Sequence, residues 1–342
     1  MVKKILVPWA MPEIGREILK NSKAEVAFLH GPAGEVPGIA ELIEETLRSD
    51  VLITRADHAI LRKVLSANPR LRGIANYGVG YSNIDVAYAT ELGIPITNTP
   101  GVLTETTADL AWALLMATAR QVPQAHLYTL SGEWKALGGR TFMGLDVGPG
   151  GSNRAKVLGI IGFGRIGQAV ARRSRGFRMK VVAFDPPLKA LIEKTRGVSY
   201  RDLEDLLRAS DFVSIHCPLS TETHHLIGEK ELKLMKPNAV LINAARGPIV
   251  DEKALLSALK QKKIAAAGLD VYEKEPHPTP GLFKLENVVL LPHICSATED
   301  TRGQMAVLAA RNAIAMLRGK KPKNIVNPEV FGSADYLRRI GK

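Results

Sequence analysis

The stretch Val157-Leu158-Gly159-Ile160-Ile161-Gly162-Phe163-Gly164-Arg165-Ile166-Gly167 decides the fold. Residues 157–161 form a short apolar run that reads as a buried strand, and from Ile166 the pattern turns helical up to Arg173. The glycines between them stand at G-x-G-x-x-G spacing. Gly162 permits a tight turn, Gly164 lets the backbone approach a pyrophosphate, and Gly167 lets helix and strand pack closely. The unpaired N–H groups and the dipole at the helix start favour a diphosphate. Glycines are common in turns, so the motif alone is weak and can be a turn with no ligand. Its context is what carries it: a strand before, a helix after, and Asp185 closing the next apolar run, 181–184, eighteen residues past Gly167. Such an acid accepts hydrogen bonds from both ribose hydroxyls and repels a 2′-phosphate, which favours NAD over NADP.

Outward from this turn the same rhythm continues. Apolar runs at 212–216, 240–243, 265–270 and 288–291 read as strands, with helices at 166–173, 203–208, 229–235 and 252–260 among them. Before the turn, 5–7, 26–28, 51–53 and 74–75 read as strands and 39–47 as an amphipathic helix. A long helix is predicted over 104–120, with Thr106 and Asp109 spaced as a capping box. Another is predicted over 298–318, with Ser296 and Glu299 at the same spacing and Gly319 at its stop. Residues 138–151 are glycine-rich and read as an excursion from the core, and those after Gly332 as a polar tail. Alternating strands and helices of this kind build parallel sheets with helices on both faces, the α/β class. At about 150 residues per domain, 342 residues make about two domains.

Composition narrows the function classes. A hydrophobic fraction of 46% supports real cores and excludes disorder as the main theme. Two cysteines, Cys217 and Cys295, cannot build a disulfide framework. The longest apolar run, 110–119, is about half the ~20 residues of a membrane span. Pro8 and Pro12 cut the apolar stretch after Lys3-Lys4 too short for a signal peptide. A soluble, cytoplasmic protein is expected, without membrane or nucleic-acid partners. The net charge of +12 leaves one basic run to weigh, Arg172-Arg173-Arg175-Arg178-Lys180. It has no aromatic stacking platform beyond Phe177 and reads as a solvated helix face.

Three further segments set an ionisable residue just after a strand, where ligands bind in doubly wound sheets. Arg246 follows Leu241-Ile242-Asn243, Glu275 follows Gly268-Leu269-Asp270, and His293 follows Leu290-Leu291-Pro292. Arg offers a planar fork to a carboxylate, and His exchanges a proton near neutral pH. A carboxylate beside the imidazole orients it and favours its charged form. Together the three suit reduction of a 2-keto acid by hydride transfer. Taken singly, each is a surface charge, a loop residue or a turn residue, and spacing alone does not join them.

With these residues in place the chain resembles the D-isomer-specific 2-hydroxyacid dehydrogenases over about 51–327. Asn76-Tyr77-Gly78-Val79-Gly80-Tyr81-Ser82-Asn83-Ile84-Asp85 looks like that family's substrate-carboxylate loop, 104–120 like its interdomain helix, and His216-Cys217-Pro218-Leu219 with Thr223 like its adenine-side loop. The resemblance implies a Rossmann NAD domain, 101–296, inserted into a flavodoxin-like substrate domain formed by 1–100 and 297–332, with 333–342 as tail. It places Arg246, Glu275 and His293 on the catalytic positions: Arg246 on the substrate carboxylate and carbonyl, His293 as acid/base, and Glu275 as its partner. It gives the substrate to the backbone of Val79 and Gly80, and to Arg246 and Ser296. It gives the NAD cofactor to Gly162, Gly164, Arg165, Ile166, Gly167, Asp185, Pro218, Thr223, Ala244, Ala245, Asp270 and His293, with no metal. Within the family, Pro292-His293-Ile294-Cys295-Ser296-Ala297-Thr298 looks most like glyoxylate/hydroxypyruvate reductases. The alternatives are a phosphoglycerate-dehydrogenase-like enzyme or a dinucleotide-sensing corepressor-like protein. A proton donor argues for turnover over sensing. A small 2-keto or 2-hydroxy acid is the expected partner, and a homodimer the expected assembly. Cys295, where a small residue is usual, is expected to be a packed thiol. Contacts that sort keto acids by size are expected near Trp9, Arg55 and Tyr77, or from Trp134 of a partner.

Overall fold

A computed structural model describes residues 3–29, 37–137 and 141–341. The chain divides into two compact units, 1–103 with 297–342, and 104–296.

The first unit alternates β1 (Lys4–Val7), α1 (Glu13–Lys20), β2 (Glu25–Phe28), α2 (Ile39–Leu47), β3 (Val51–Arg55), α3 (Arg62–Ala67), β4 (Gly73–Tyr77), α4 (Val86–Glu91) and β5 (Ile96–Thr97). Its five strands are parallel in the order β2-β1-β3-β4-β5, the flavodoxin-like doubly wound arrangement. Unbroken apolar runs form these strands because both faces are covered. Ile5, Val7, Val51 and Ile53 enter one core. Leu6 and Leu52, pointing the opposite way, enter the other.

The second unit begins with α5 (Thr104–Ala119) and α6 (Val122–Leu130) and continues through β6 (Val157–Ile161), α7 (Arg165–Arg173), β7 (Lys180–Phe184), α8 (Lys189–Lys194), β8 (Val198–Tyr200), α9 (Leu203–Ala209), β9 (Phe212–Ile215), α10 (Glu229–Leu234), β10 (Val240–Asn243), α11 (Glu252–Lys260), β11 (Ala266–Leu269) and β12 (Val288–Leu290). All seven strands are parallel, in the order β12-β11-β10-β9-β6-β7-β8. This is the Rossmann order with one strand added at an edge. Ile160 and Ile242 pack on the face that carries α5, and Ile161 and Leu241 on the other. Trp112 of α5 stacks on Phe177 at 4.6 Å and donates its indole N–H to the Val170 carbonyl at 3.0 Å.

The first unit is completed by α12 (Glu299–Leu317) and α13 (Ala334–Ile340). Small residues on α12, Ala306, Ala309, Ala310 and Ala313, are fully buried and let it lie close to β3, β4 and α1.

Several sequence expectations need correction. Strands β5 and β8 carry too few residues, beside Pro95 and Gly197, to give a periodic signal. Thr106 does not cap a helix, because α5 is already running from Thr104 and the Asp109 carboxylate pairs with Arg173 at 2.7 Å. The cap of α12 is Thr298, which accepts from the Thr301 N–H at 3.3 Å, and not Ser296. The stretch 138–151 is not wholly an excursion. Residues 138–140 lie outside the described residues, but the Leu145 N–H bonds to the Ala119 carbonyl at 2.7 Å and Val147 is buried in the core. Of the expected tail 333–342, the described residues 333–341 are not a loose polar tail either. Ser333 caps α13, Tyr336 is 6% exposed, and Arg339 donates to the carbonyls of Pro69, Leu71 and Leu92. In the basic run, Arg172 and Arg173 pair with Glu105 of α5 at 2.6 and 2.9 Å. No described helix is long and apolar enough to cross a membrane.

Candidate active site

The residues singled out in the second unit gather at one place because β6, β7, β9, β10, β11 and β12 are parallel and all deliver their following loops to the carboxyl edge of the sheet. At β6 the turn has the required geometry. Gly162 has φ +91°, and a Cβ on it would lie 2.3 Å from the Cys217 nitrogen. A Cβ on Gly167 would lie 2.1 Å from the Gly162 carbonyl oxygen, so helix and strand meet at backbone contact. Above Gly164 there is open space. Helix α7 starts there without a side-chain cap, and Arg165 and Ile166 open it. Uncapped N–H groups beneath an open glycine fit a diphosphate.

Asp185 closes β7 beside this turn. Its Oδ2 accepts from the Phe163 N–H at 2.8 Å and its Oδ1 from the Leu188 N–H at 3.3 Å, so the carboxylate is fixed in direction. After β9, the Thr223 hydroxyl donates to the Pro218 carbonyl at 2.7 Å and accepts from the Ser220 N–H at 2.8 Å, closing a small loop. Burial holds the His216 imidazole down at about 4, so it stays neutral at pH 7.

At the end of β10 the buried Asn243 shapes the 244–246 turn. Its Oδ1 accepts from the Ala245 N–H at 3.1 Å and its Nδ2 donates to the Arg246 carbonyl at 2.9 Å. Arg246 Nη1 donates to the Ala245 carbonyl at 2.6 Å, which aims the guanidinium. Burial lowers the Arg246 pKa from its ordinary value, with Glu275 opposing that shift.

After β12, His293 Nδ1 donates to Glu275 Oε2 at 2.7 Å. The other Glu275 oxygen accepts from the Tyr272 N–H at 3.1 Å. With Nδ1 engaged, Nε2 is the nitrogen left to exchange a proton with a ligand. His293 has φ +54°, a left-handed conformation that costs about 1–3 kcal/mol for a residue other than glycine. What holds it is Asp270, which is fully enclosed. The Asp270 Oδ1 accepts from the Ile294 N–H at 2.8 Å and its Oδ2 from the Cys295 N–H at 3.0 Å. The Cys295 thiol points toward the Ala244 carbonyl, 3.9 Å away, and burial pushes its pKa well above the ordinary value. It is packed in the core. Ser296 is the next residue, half-buried.

Burial pulls the Glu275 carboxyl upward. The hydrogen bond and charge of His293, the Tyr272 N–H and Arg246 outweigh it and leave its pKa below the ordinary 4.5. The stabilisation from this group is therefore whole above about pH 4.5 and is lost as pH falls through the lowered value. Thermal unfolding of the wild type and Glu275→Gln between pH 3 and 5.5 should show the wild-type advantage shrinking on acidification. An advantage constant over that range would contradict the assignment.

In the first unit, Asn76 Nδ2 donates to the carbonyls of Gly78 and Gly80 at 3.3 and 2.8 Å. Asn98 Nδ2 donates to the Val79 carbonyl at 2.9 Å, and the Thr99 N–H to Gly78 at 2.9 Å. Across a trans peptide each N–H points away from the carbonyl before it, so the Val79 N–H is directed away from the Thr99 N–H that Gly78 accepts and the Gly80 N–H away from Asn98. Trp9, Arg55 and Tyr77 gather at the carboxyl ends of β1, β3 and β4. The Trp9 and Tyr77 rings are 4.5 Å apart, and the Arg55 guanidinium lies 5.7 Å from Trp9. Burial pushes the Tyr77 hydroxyl up to about 12.

Sequence reading missed the roles of Asn76, Asn98 and Asn243. A polar residue ending an apolar strand, as Asn76 and Asn243 do, was the available signal. Asn98 carried none.

A dinucleotide turn joined to an Arg, a Glu and a His at the same sheet edge defines an oxidoreductase of 2-hydroxy acids. Residues 112–295 match the family model described as the NAD-binding domain of D-isomer-specific 2-hydroxyacid dehydrogenases. Over 336 residues the chain is 47% identical to the glyoxylate reductase of Thermococcus litoralis, covering 98% of this chain and 99% of that protein. It is 50% identical over 336 residues to the glyoxylate reductase of Thermococcus kodakarensis, covering 96% and 98%. A solved structure of an NADPH-dependent glyoxylate/hydroxypyruvate reductase from Sinorhizobium meliloti, in complex with NADP and malonate, superposes with a TM-score of 0.82 at 31% identity, covering 95% and 97%. The chain belongs to the D-isomer-specific 2-hydroxyacid dehydrogenase family.

Proposed function

We propose that this enzyme reduces glyoxylate, and hydroxypyruvate beside it, with NADH. The observation that carries the reading is the 2.7 Å His293–Glu275 hydrogen bond beside Arg246 at the carboxyl edge of the seven-stranded sheet. When bound, the nicotinamide supplies a hydride to the carbonyl carbon of the keto acid. Arg246 offers its fork to the acid group and the carbonyl oxygen. His293 Nε2 gives the proton to that oxygen, and Glu275 orients the ring through Nδ1 and stabilises the imidazolium. The N–H groups of Val79 and Gly80 are assigned to the substrate carboxylate, and Ser296 to a further substrate contact, on the family resemblance. Gly162 to Gly167, Asp185, the Pro218–Thr223 loop, and Ala244 and Ala245 would hold the cofactor. Asp270 supports it by holding the backbone after His293.

The Asp185 carboxylate, fixed beside the turn, favours NADH by repelling a 2′-phosphate. The Sinorhizobium relative is NADPH-dependent, so the two nucleotides are the deciding comparison. Initial rates should be fastest with glyoxylate and hydroxypyruvate in a panel of 2-keto acids, and higher with NADH than with NADPH. Faster NADPH oxidation would overturn the role of Asp185. A bulkier keto acid turning over faster than both would overturn the substrate.

A homodimer completes the proposal. Helix α6 exposes Val122, Leu127 and Leu130, and Trp134 and Leu137 lie in the open just beyond it. Gln124 anchors this helix to the sheet edge, donating to the Glu286 and Val288 carbonyls at 2.8 and 2.9 Å. A second copy of the chain is the natural cover for such an apolar face. Sedimentation equilibrium should give a dimer for the wild type and a monomer for the Leu127→Glu, Leu130→Glu double variant. A monomeric wild type would refute it.

A further inference from the structure

The proposed chemistry uses Glu275, but Glu275 stands on a loop, 270–281, without regular structure between β11 and a short 3-10 turn. Something must hold that loop, and one carboxylate outside the site does. Glu252, the first residue of α11, is 3% exposed. Its Oε1 accepts from the Glu273 N–H at 2.6 Å and its Oε2 from the Thr279 N–H at 2.8 Å. In return its own N–H donates to Glu273 Oε1 at 2.9 Å, the oxygen that also meets His225 Nε2 at 3.1 Å. Glu275 lies between the two clamped amides. The helix does not need Glu252 as a cap, since Asp251 already accepts from the Lys253 and Ala254 N–H groups.

Tyr272, next to the clamped Glu273, touches the other two functional segments. A Cβ on Gly247 would lie 1.8 Å from the Tyr272 carbonyl carbon, so the start of the loop presses on the backbone next to Arg246. The Tyr272 hydroxyl donates to the Leu291 carbonyl at 2.7 Å, two residues before His293. Burying a carboxylate is costly unless it is well hydrogen-bonded, and here both oxygens are spent on one loop.

We propose that Glu252 is a positioning residue for this reaction: by clamping both ends of the 273–279 segment it holds Glu275 where it orients His293. This rests on Glu275 and His293 acting as the pair proposed for the reaction. A carboxamide cannot replace Glu252, because a glutamine offers one acceptor and turns an NH2 toward the second N–H.

The test is a double-mutant cycle in kcat for glyoxylate reduction, with NADH affinity measured by fluorescence. Glu252→Gln should lower kcat by about ten- to a hundredfold, with the NADH Kd within about twofold of wild type. In the Glu275→Gln background the same change should cost less than about twofold, because its target is gone. Losses that multiply in the double variant, or a Glu252→Gln enzyme with wild-type kcat, would overturn the proposal. A Glu275→Gln enzyme with wild-type kcat would instead overturn the underlying reading of the pair, and the proposal with it. If Glu252→Gln does not fold, Glu252→Asp serves in the same cycle. It keeps the charge but withdraws the carboxylate by one methylene, too far to reach both amides.

Discussion

Replacing His293 by alanine should lower kcat for glyoxylate by about 10²–10⁴-fold, the range of general acid catalysis, while NADH binds as before. The Nδ1 side of the ring is committed to Glu275 at 2.7 Å, so Nε2 is the nitrogen left for the proposed proton transfer. The backbone at this residue is held at φ +54° by two Asp270 hydrogen bonds to the following amides. Those bonds do not involve the imidazole, so the loop outlives its loss. Titrating NADH into the variant by fluorescence separates the two effects. Near-wild-type turnover would remove His293 from the chemistry, and lost NADH binding would make the change structural.

Arg246→Lys comes next in size. It should lower kcat/KM by about a hundredfold, equivalent to ~2.8 kcal/mol at 1.4 kcal/mol per decade, again with little change in NADH affinity. The guanidinium is aimed by its own bond to the Ala245 carbonyl, which leaves its other donors for a carboxylate and a carbonyl together. A lysine offers a single point charge there, and in an enclosed position it gives up its proton far more readily than arginine does. Steady-state kinetics on glyoxylate check this, and an unchanged kcat/KM would exclude Arg246 from substrate binding.

What the sequence revealed and what it hid divide along the range of the interactions. The turn 162–167 could be read because its causes are local: a strand, three glycines and a helix start within a dozen residues. Asp185 could be read because it ends the adjacent strand. The strand runs could be read because parallel strands covered on both faces are continuously apolar, as at 157–161 and 240–243. The two-residue β5 and three-residue β8 have no room to show a period. Glu252 could not be read at all, since its partners lie 21 and 27 residues on and are backbone amides of a loop. Asp270 was noticed, but its bonds to Ile294 and Cys295 depend on β11 and β12 being neighbours. The tail after Gly332 misled because its composition is polar. Its order comes from one tyrosine and from an arginine that reaches carbonyls some 250 residues earlier in the chain.

Stereochemistry is the most direct check on the central claim, since glycolate is achiral and hydroxypyruvate is not reduced to an achiral product. Purified enzyme, hydroxypyruvate and NADH should yield glycerate, and its configuration can be read by chiral chromatography. D-glycerate, formed in step with NADH oxidation, is the predicted product. L-glycerate, a racemate, or no NADH oxidation at all would contradict the assignment.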